Sequence, residues 1–543
     1  MKLLSKILPS VFFLFLIILF IFIPFFERGF IFSYDGLFFY PKIVYKLHYL
    51  LPNQTYFLFF LDKLSFLIPT WIIQRLIWFS PLFIGALGCF YLFGKSHKLT
   101  GYLAGIFFIF NPFVYERMVM GQTTVILGLS FYPWVVLFLT NFFLKKKYLF
   151  LIISGVLYGI AVLLFPHSLF ILGLLVLSIL IYFFLKQKDY LKIIFSFLVF
   201  LIFVSLINFN WLLPSLKERN GIGELSTEFS QNDFLFYATS KGNIGNIWLN
   251  VLTLNGHWGE RDGFFKYHLD SYLSRVSSIL ILIFVLLGIY LGLKDKKKRL
   301  SVFIALFLTL VAIVLAIGKA HPLTDILTRP FYQYLPFYKG LREPQKWVAL
   351  FLLVYIFFFS LFFESFLQKN NNSKIIKLFL VFLLFLPIIN THQMLWGFGR
   401  QLKVNDFPQS WYQINDYLNK QKNDFKVLFL PWRFYMNFSF AGRQIINPSL
   451  SFFDKFTFIG NDIRVGNTYY QFYNKELDIL SKQVGLISKK ICPETKVLRS
   501  LNINYIILAK EENWSEYLYI NNCHSLKLVN DYPEIFLFEV IKE

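Results

Sequence analysis

Cysteine and acid are both scarce in this chain of 543 residues, which has three Cys and only 31 Asp plus Glu against 53 Lys plus Arg. Three cysteines exclude a disulfide framework and a Cys-based zinc site. Cys89 falls inside an apolar run, whereas Cys492 and Cys523 both lie in the C-terminal tail. Those two are open to pairing in an oxidising space, provided their Cα atoms come within about 7 Å. Several motifs are also absent. There is no Walker A loop, no GxGxxG after a strand, no HExxH and no nucleophile elbow, so ATP-driven pumping and hydride chemistry have no support. No internal repeat is evident. Charged residues of either sign make up only 15% of the chain while 57% is hydrophobic, a balance that a soluble core of this length does not accommodate.

What is present is a series of long apolar runs. A membrane span needs about 20 apolar residues. Runs fall at 7–24, 71–93, 102–113, 124–144, 148–165, 169–185, 193–213, 272–293, 302–317, 347–366 and 375–389, which predicts about eleven spans, with the short 102–113 run as a half-span or tilted helix. The first run follows Lys2 and Lys6 and has no small-residue cleavage site after it, so it reads as a retained anchor with its N-terminus in the cytoplasm. The 71 Phe and 31 Tyr suit a bilayer with aromatic boundaries, and an AT-rich genome would produce the same bias.

The loops carry the orientation. Alternate short loops hold Lys95 and Lys98; Lys145, Lys146 and Lys147; Lys186 and Lys188; Lys294 through Arg299; and Lys369 and Lys374. This is the positive-inside pattern, and it explains the net charge of +22 as topology, with no basic segment that suits nucleic acid. An odd number of spans then places the tail outside, giving a transmembrane module at 1–390 and an extracytoplasmic α/β domain at 391–543. In that tail, 408–420 has helical periodicity, and 426–431, 503–509 and 535–541 read as buried strands. Residues 41–51 in the first outer loop have the spacing of a helix lying in the interface. The expected location is the plasma membrane.

The candidate functional residues all fall in outer loops. Asp35, in SYDGLFFYP at 33–41, is either a general base raised in pKa by its apolar neighbours or an Asp-Gly turn at a helix exit. Glu116 and Arg117, in NPFVYERMVMGQ at 111–122, are open to a metal, a phosphate or each other, or to a plain surface pair. Arg342, Glu343 and Lys346 sit in GLREPQKW at 340–347, where Arg offers a fork of donors suited to phosphate and Lys a point charge. His167 follows a proline in a short turn, and His257 and Glu260 lie in HWGERDG at 257–263, at spacings that match no metal motif. No Asp-x-Asp occurs in these loops.

This layout resembles the GT-C superfamily of membrane glycosyltransferases, and more narrowly the YfhO-like and arabinofuranosyltransferase-like membrane proteins. The segments quoted above carry the likeness, together with LRSLNINYIIL at 498–508. The resemblance implies transfer of a sugar from a polyprenyl-phosphate donor to a glycolipid, polysaccharide or glycoprotein acceptor, with inversion at the sugar. It implies Asp35 as the catalytic base. Arg342, Lys346 and Arg117 would sit at the donor phosphate, with Glu116, Glu343, His167, His257 and Glu260 as accessory groups. No cofactor is required by the sequence, and a divalent cation is compatible with it. A flippase for lipid-linked sugar and a non-catalytic glycan-binding scaffold are the alternative readings. The flippase fits less well, since polar residues crowd at one end of the spans.

Overall fold

A computed structural model describes residues 2–36, 52–187, 189–217, 236–335, 338, 341, 343–369, 374–460, 462–465, 468–471 and 475–541. The proposed interfacial helix at 41–51 and the candidate Arg342 lie outside the described residues. The chain divides into two compact units, one formed by Met1–Pro24 and Leu76–Gln401, the other by Phe25–Arg75 and Leu402–Glu543. In this division the segment after the first span belongs with the C-terminal part.

The first unit is a helical bundle. Among the described residues, eight helices are long and apolar enough to cross a membrane, and a ninth candidate, Lys374–Asn390 with His392–Arg400, bends by 61°. Two expected spans fall short. Tyr148–Leu164 has 17 residues, and Lys98–Ile109 has 12, or about 18 Å of helix against a core of about 30 Å. The latter stops because Asn111 ends it. Its side-chain amide donates to the Phe107 and Phe108 carbonyls at 3.1 and 2.9 Å, and its Oδ1 accepts the Val114 amide at 3.0 Å, opening the next helix, Pro112–Val119.

Burial sorts the apolar residues, as expected where lipid is the outer solvent. On Arg299–Ile317, Val302, Ala305, Leu308 and Ala312 face inward while Phe303, Phe307 and Leu310 are exposed on the lipid side. Val348–Lys369 is the innermost helix. It packs on Tyr272–Lys294 so closely that a Cβ at Gly288 would clash with the Phe358 carbonyl oxygen. A polar latch supports the same region, in which the Asn390 side-chain oxygen accepts the Ser277 and Ser278 hydroxyls at 3.1 and 2.7 Å.

The second unit is built on a five-stranded sheet in the order Leu526–Tyr532, Ile535–Val540, Ile503–Ala509, Lys426–Leu430, Phe456–Phe458. The first three strands pair antiparallel and the last two joins are parallel. One face, through Leu428, Leu430, Ile506 and Leu508, packs on Leu480, Ile487 and Leu498. The other receives helix Gln409–Lys420, whose Trp411, Ile414 and Leu418 are buried and whose Trp411 ring meets Phe429 and Phe453. Cys492 and Cys523 form a disulfide with Cα atoms 5.6 Å apart. The short strand Phe30–Ile31 pairs antiparallel with Val404–Asn405, which is possible because Gly29, at φ +127°, leaves no Cβ to strike the Asn405 carbonyl.

Gly288→Val is expected to force the two central helices apart, at a cost of about 1–3 kcal/mol or more. Thermal unfolding of the detergent-purified variant should show a clear drop in Tm, and an unchanged Tm would contradict the close approach.

Candidate functional site

Three segments of the first unit deliver charged groups to one buried place. The short helix Pro112–Val119 carries Glu116 and Arg117, both fully buried. The 3-10 turn Pro344–Trp347, which opens the innermost helix, carries Gln345 and Lys346 directly after Glu343. The third contribution comes from Ile247–Leu252 and Trp258–Glu260, which bring Asn250, His257 and Glu260.

Glu343 is the hub of one half. Its Oε2 accepts Arg117 Nη1 at 2.7 Å and its Oε1 meets Lys346 Nζ at 3.0 Å. The Arg117 guanidinium also donates to the side-chain oxygens of Gln122, at 2.5 Å, and of Gln345, and it lies over the Phe113 ring. Arg117 is wholly shielded, whereas Glu343 and Lys346 each keep 12% of their side-chain surface accessible. Lys346 also lies 5.8 Å from the centre of the Phe165 ring, which stacks on His167, and this places His167 at the margin of the cluster.

The other half holds two carboxyls. Glu116 Oε2 accepts the His257 backbone amide and the Gln345 side-chain amide, each at 3.3 Å. Glu260 accepts the Gly256 amide at 2.6 Å and the Asn250 side-chain amide at 2.8 Å, and Asn250 is itself held by the Tyr267 hydroxyl at 2.6 Å. Burial first, then the neighbouring Glu260 carboxylate, push the Glu116 carboxyl well above the usual range. Burial likewise raises Glu260. Each carboxyl is thus held toward its protonated form by burial, and Glu116 further by the nearby Glu260.

His257 is kept neutral. Burial and the Arg117 and Lys346 cations hold its pKa well below the ordinary histidine range. Its Nδ1 accepts the Gly259 amide at 2.9 Å, so the proton resides on Nε2, which is buried without a hydrogen-bond partner. Burial works to raise Glu343, but Lys346 and Arg117 more than offset it and hold that carboxyl well below its usual range. The Arg117 and Lys346 cations thus stand against an ionised Glu343, with Glu116 and Glu260 held toward their neutral forms, a balance that lets the cluster stay buried.

The sequence of the family described as "6-pyruvoyl-tetrahydropterin synthase related domain; membrane protein" matches residues 52–240, about a third of the chain. A search of curated protein sequences finds no match. Among solved structures, the arabinofuranosyltransferase AftD from Mycobacteria superimposes on 98% of this chain with a TM-score of 0.62 at 14% identity. A mutant of that enzyme gives the same TM-score over 98% of this chain. This chain spans 40–42% of the length of those two chains. The fold is that of the GT-C membrane glycosyltransferases. ArnT from Cupriavidus metallidurans aligns over 99% of this chain with a TM-score of 0.41.

Within this GT-C fold, the structure brings together Glu116, Arg117, His257, Glu260, Glu343 and Lys346, with His167 at the edge. Arg117 is engaged by Glu343, Gln122 and Gln345 and faces no open surface, so its place is behind Glu343 and Lys346. Asp35 belongs to the second unit. There its Oδ1 accepts the Tyr435 hydroxyl at 2.6 Å, and Tyr34 stacks on the Tyr435 ring at 4.3 Å. Sequence reasoning passed over Gln122, Gln345, Asn250 and Tyr435. Gln122 and Gln345 stand inside the two motifs already singled out, and an amide near an arginine in each was the available signal. Among the described residues no group of three His, Cys, Asp or Glu is placed to hold a metal ion.

Arg117→Met should destabilise the protein by about 3–5 kcal/mol, because it strands Glu343 beside a single cation in a buried place. A titration separates the two halves. The unfolded chain protonates His257 below about pH 6.5, while the folded chain keeps it neutral. The destabilisation is therefore absent above that pH and grows as pH falls. Relative to wild type, His257→Asn should gain up to about 1.4 kcal/mol per pH unit on acidification from pH 6.5 to 5. Glu116 has the opposite sign, since its raised pKa gives stability at low pH that is lost as pH rises. Glu116→Gln should therefore gain on wild type toward alkaline pH. Differences in Tm that do not vary with pH would contradict both assignments.

Proposed function

We propose that this membrane protein is a glycosyltransferase that takes its sugar from a polyprenyl-phosphate donor and works on the outer face of the plasma membrane, inverting the sugar. The observation that carries the reading is the superposition of nearly the whole chain on an arabinofuranosyltransferase, at a TM-score of 0.62. Polyprenyl-phosphate arabinofuranose is on that ground the first donor to test, with a glycolipid, polysaccharide or glycoprotein as acceptor.

The chemistry asks for three things. The donor phosphate leaves as an anion and needs positive charge that is already in place. Lys346 supports this role, since it is the least shielded cation of the buried cluster, and Arg342 adjoins it in sequence. Arg117 positions this charge through Glu343 without touching the donor. The acceptor hydroxyl must lose a proton as it attacks. Asp35, with one oxygen taken by Tyr435, is the proposed base, the tyrosine hydrogen bond fixing the rotation of the carboxylate. Glu343 then acts as the counter-ion that holds the Lys346 ammonium in place until a phosphate oxygen competes for it. The extracytoplasmic setting agrees with the Cys492–Cys523 disulfide, which persists in oxidising spaces.

The test is transfer by the purified chain in proteoliposomes, with donor binding measured in parallel. Asp35→Asn should lower turnover by roughly 10²–10⁴ with donor affinity unchanged. Lys346→Gln should instead weaken donor binding. Wild-type turnover by Asp35→Asn would remove the base assignment, and failure of every polyprenyl-phosphate sugar to bind would remove the donor class. Repeating the assay with EDTA decides whether a divalent cation takes part.

A further inference from the structure

The first unit contains a cavity, separate from the charged cluster and of opposite character. It has a volume of about 460 Å³, within the usual range for ligand sites of about 300–1,000 Å³. Its walls come from helices Thr70–Phe93, Tyr132–Lys145, Ser168–Gln187, Arg299–Ile317 and Val348–Lys369, and they are mostly apolar. Leu175, Leu308 and Val354 line the deep end, and Lys95 and Lys186 stand at the other. Both lysines belong to the set of short basic loops, so the mouth of the cavity lies at the basic end of the bundle.

The dimensions fit one leaflet. Along helix Ser168–Gln187 the cavity extends from Lys186 to Leu175, which are eleven residues apart. At 1.5 Å per residue this is about 16 Å, close to half of a hydrocarbon core of about 30 Å. The polarity also runs in one direction. Lys186 and Gln187 are exposed at the mouth, and the lining turns to leucine and valine toward the depth. Leu144, on the wall, is exposed where lipid would lie.

The charge at the mouth has no acid against it. Among the described residues that line the cavity there is no carboxylate. Lys95 contacts the Asn141 side-chain oxygen at 3.3 Å, and Lys186 contacts the Tyr182 hydroxyl at 3.0 Å. Burial, then the neighbouring Lys145 ammonium, lower the Lys95 pKa, as expected where cations gather with no anion between them. Asp189, on the adjoining loop, is engaged by Lys192 at 3.0 Å.

We propose that this cavity is a binding site for an anionic bilayer phospholipid, whose headgroup phosphate is held between Lys95 and Lys186 and one of whose acyl chains fills the space down to Leu175 and Leu308. The site lies apart from the proposed transfer chemistry and does not depend on it. Its ligand is recognised by a phosphate at the interface and an acyl chain in the depth, which a bilayer phospholipid supplies at high local concentration.

The test uses the full-length protein purified in detergent, with phosphatidylglycerol and phosphatidylcholine of identical chains added and retention read by native mass spectrometry. Phosphatidylglycerol should be retained roughly tenfold better than phosphatidylcholine. Lys95→Gln with Lys186→Gln should abolish that preference, and both positions are exposed, so folding is undisturbed. Ile179→Trp, which fills the cavity, should lower retention of both lipids. As a measurement on wild-type protein, phosphatidylglycerol with a photoreactive acyl chain should label helices Ser168–Gln187 and Arg299–Ile317. Equal retention of the two lipids, labelling confined to other helices, or preferential retention of a polyprenyl phosphate over phosphatidylglycerol would each overturn the proposal.

Discussion

The charged cluster of the membrane unit depends on how one carboxylate is divided. Glu343 gives one oxygen to Arg117 and the other to Lys346, and the first of these contacts joins residues 226 positions apart in the chain. In a buried setting an unmatched cation or anion is expensive, and an arginine with no accessible surface needs a counter-charge. Gln122 and Gln345 answer further donors of its Nη atoms without adding charge. The position of the loop after Lys98–Ile109 and the opening turn of the innermost helix are thus set by one electrostatic condition, and the packing around them follows from it.

Burial acts on the neighbouring carboxyls as well. It raises both Glu116 and Glu260, and so lowers the negative charge that the place must hold. His257 completes the arrangement by remaining neutral, its tautomer fixed by the Gly259 amide. The outcome is a cluster rigid in its interior, with flexibility of charge only at Lys346 and Glu343, where the side chains retain some accessible surface. A binding site for an anion gains from this arrangement, because the positive group is already oriented when the ligand arrives.

Much of this was legible in the sequence, and the reasons differ by residue. Apolar runs of sufficient length revealed the long helices, because hydrocarbon leaves no alternative to a helix. The strand Ile503–Ala509 was readable from the apolar run at 505–509, whereas Leu526–Tyr532, an edge strand with Lys527 and Leu528 exposed, shows too weak a pattern. Glu116, Arg117, Glu343, Lys346, His257 and Glu260 stood out one by one as ionisable groups near membrane spans. Their convergence was not legible, since contacts across more than 200 positions leave no local trace. The break at Asn111 was hidden for another reason. Asn-Pro reads equally as a loop between spans and as a cap between two short helices, and only the Phe107 and Phe108 carbonyls decide it.

The inclusion of Phe25–Arg75 in the C-terminal unit has a consequence for how the chain is made. Asp35 and Tyr435 are partners across 400 residues, and the strand Phe30–Ile31 finds its mate at Val404–Asn405. The segment that leaves the ribosome soon after the first span therefore lacks these partners until residues 404–435 have followed it. During synthesis its aromatic residues Phe30, Phe32 and Tyr34 stay without their final neighbours while the intervening helices enter the bilayer. Contacts of such long range close slowly. Formation of this unit is thus a late event, in which a segment made after residue 400 returns to finish a structure begun near residue 30.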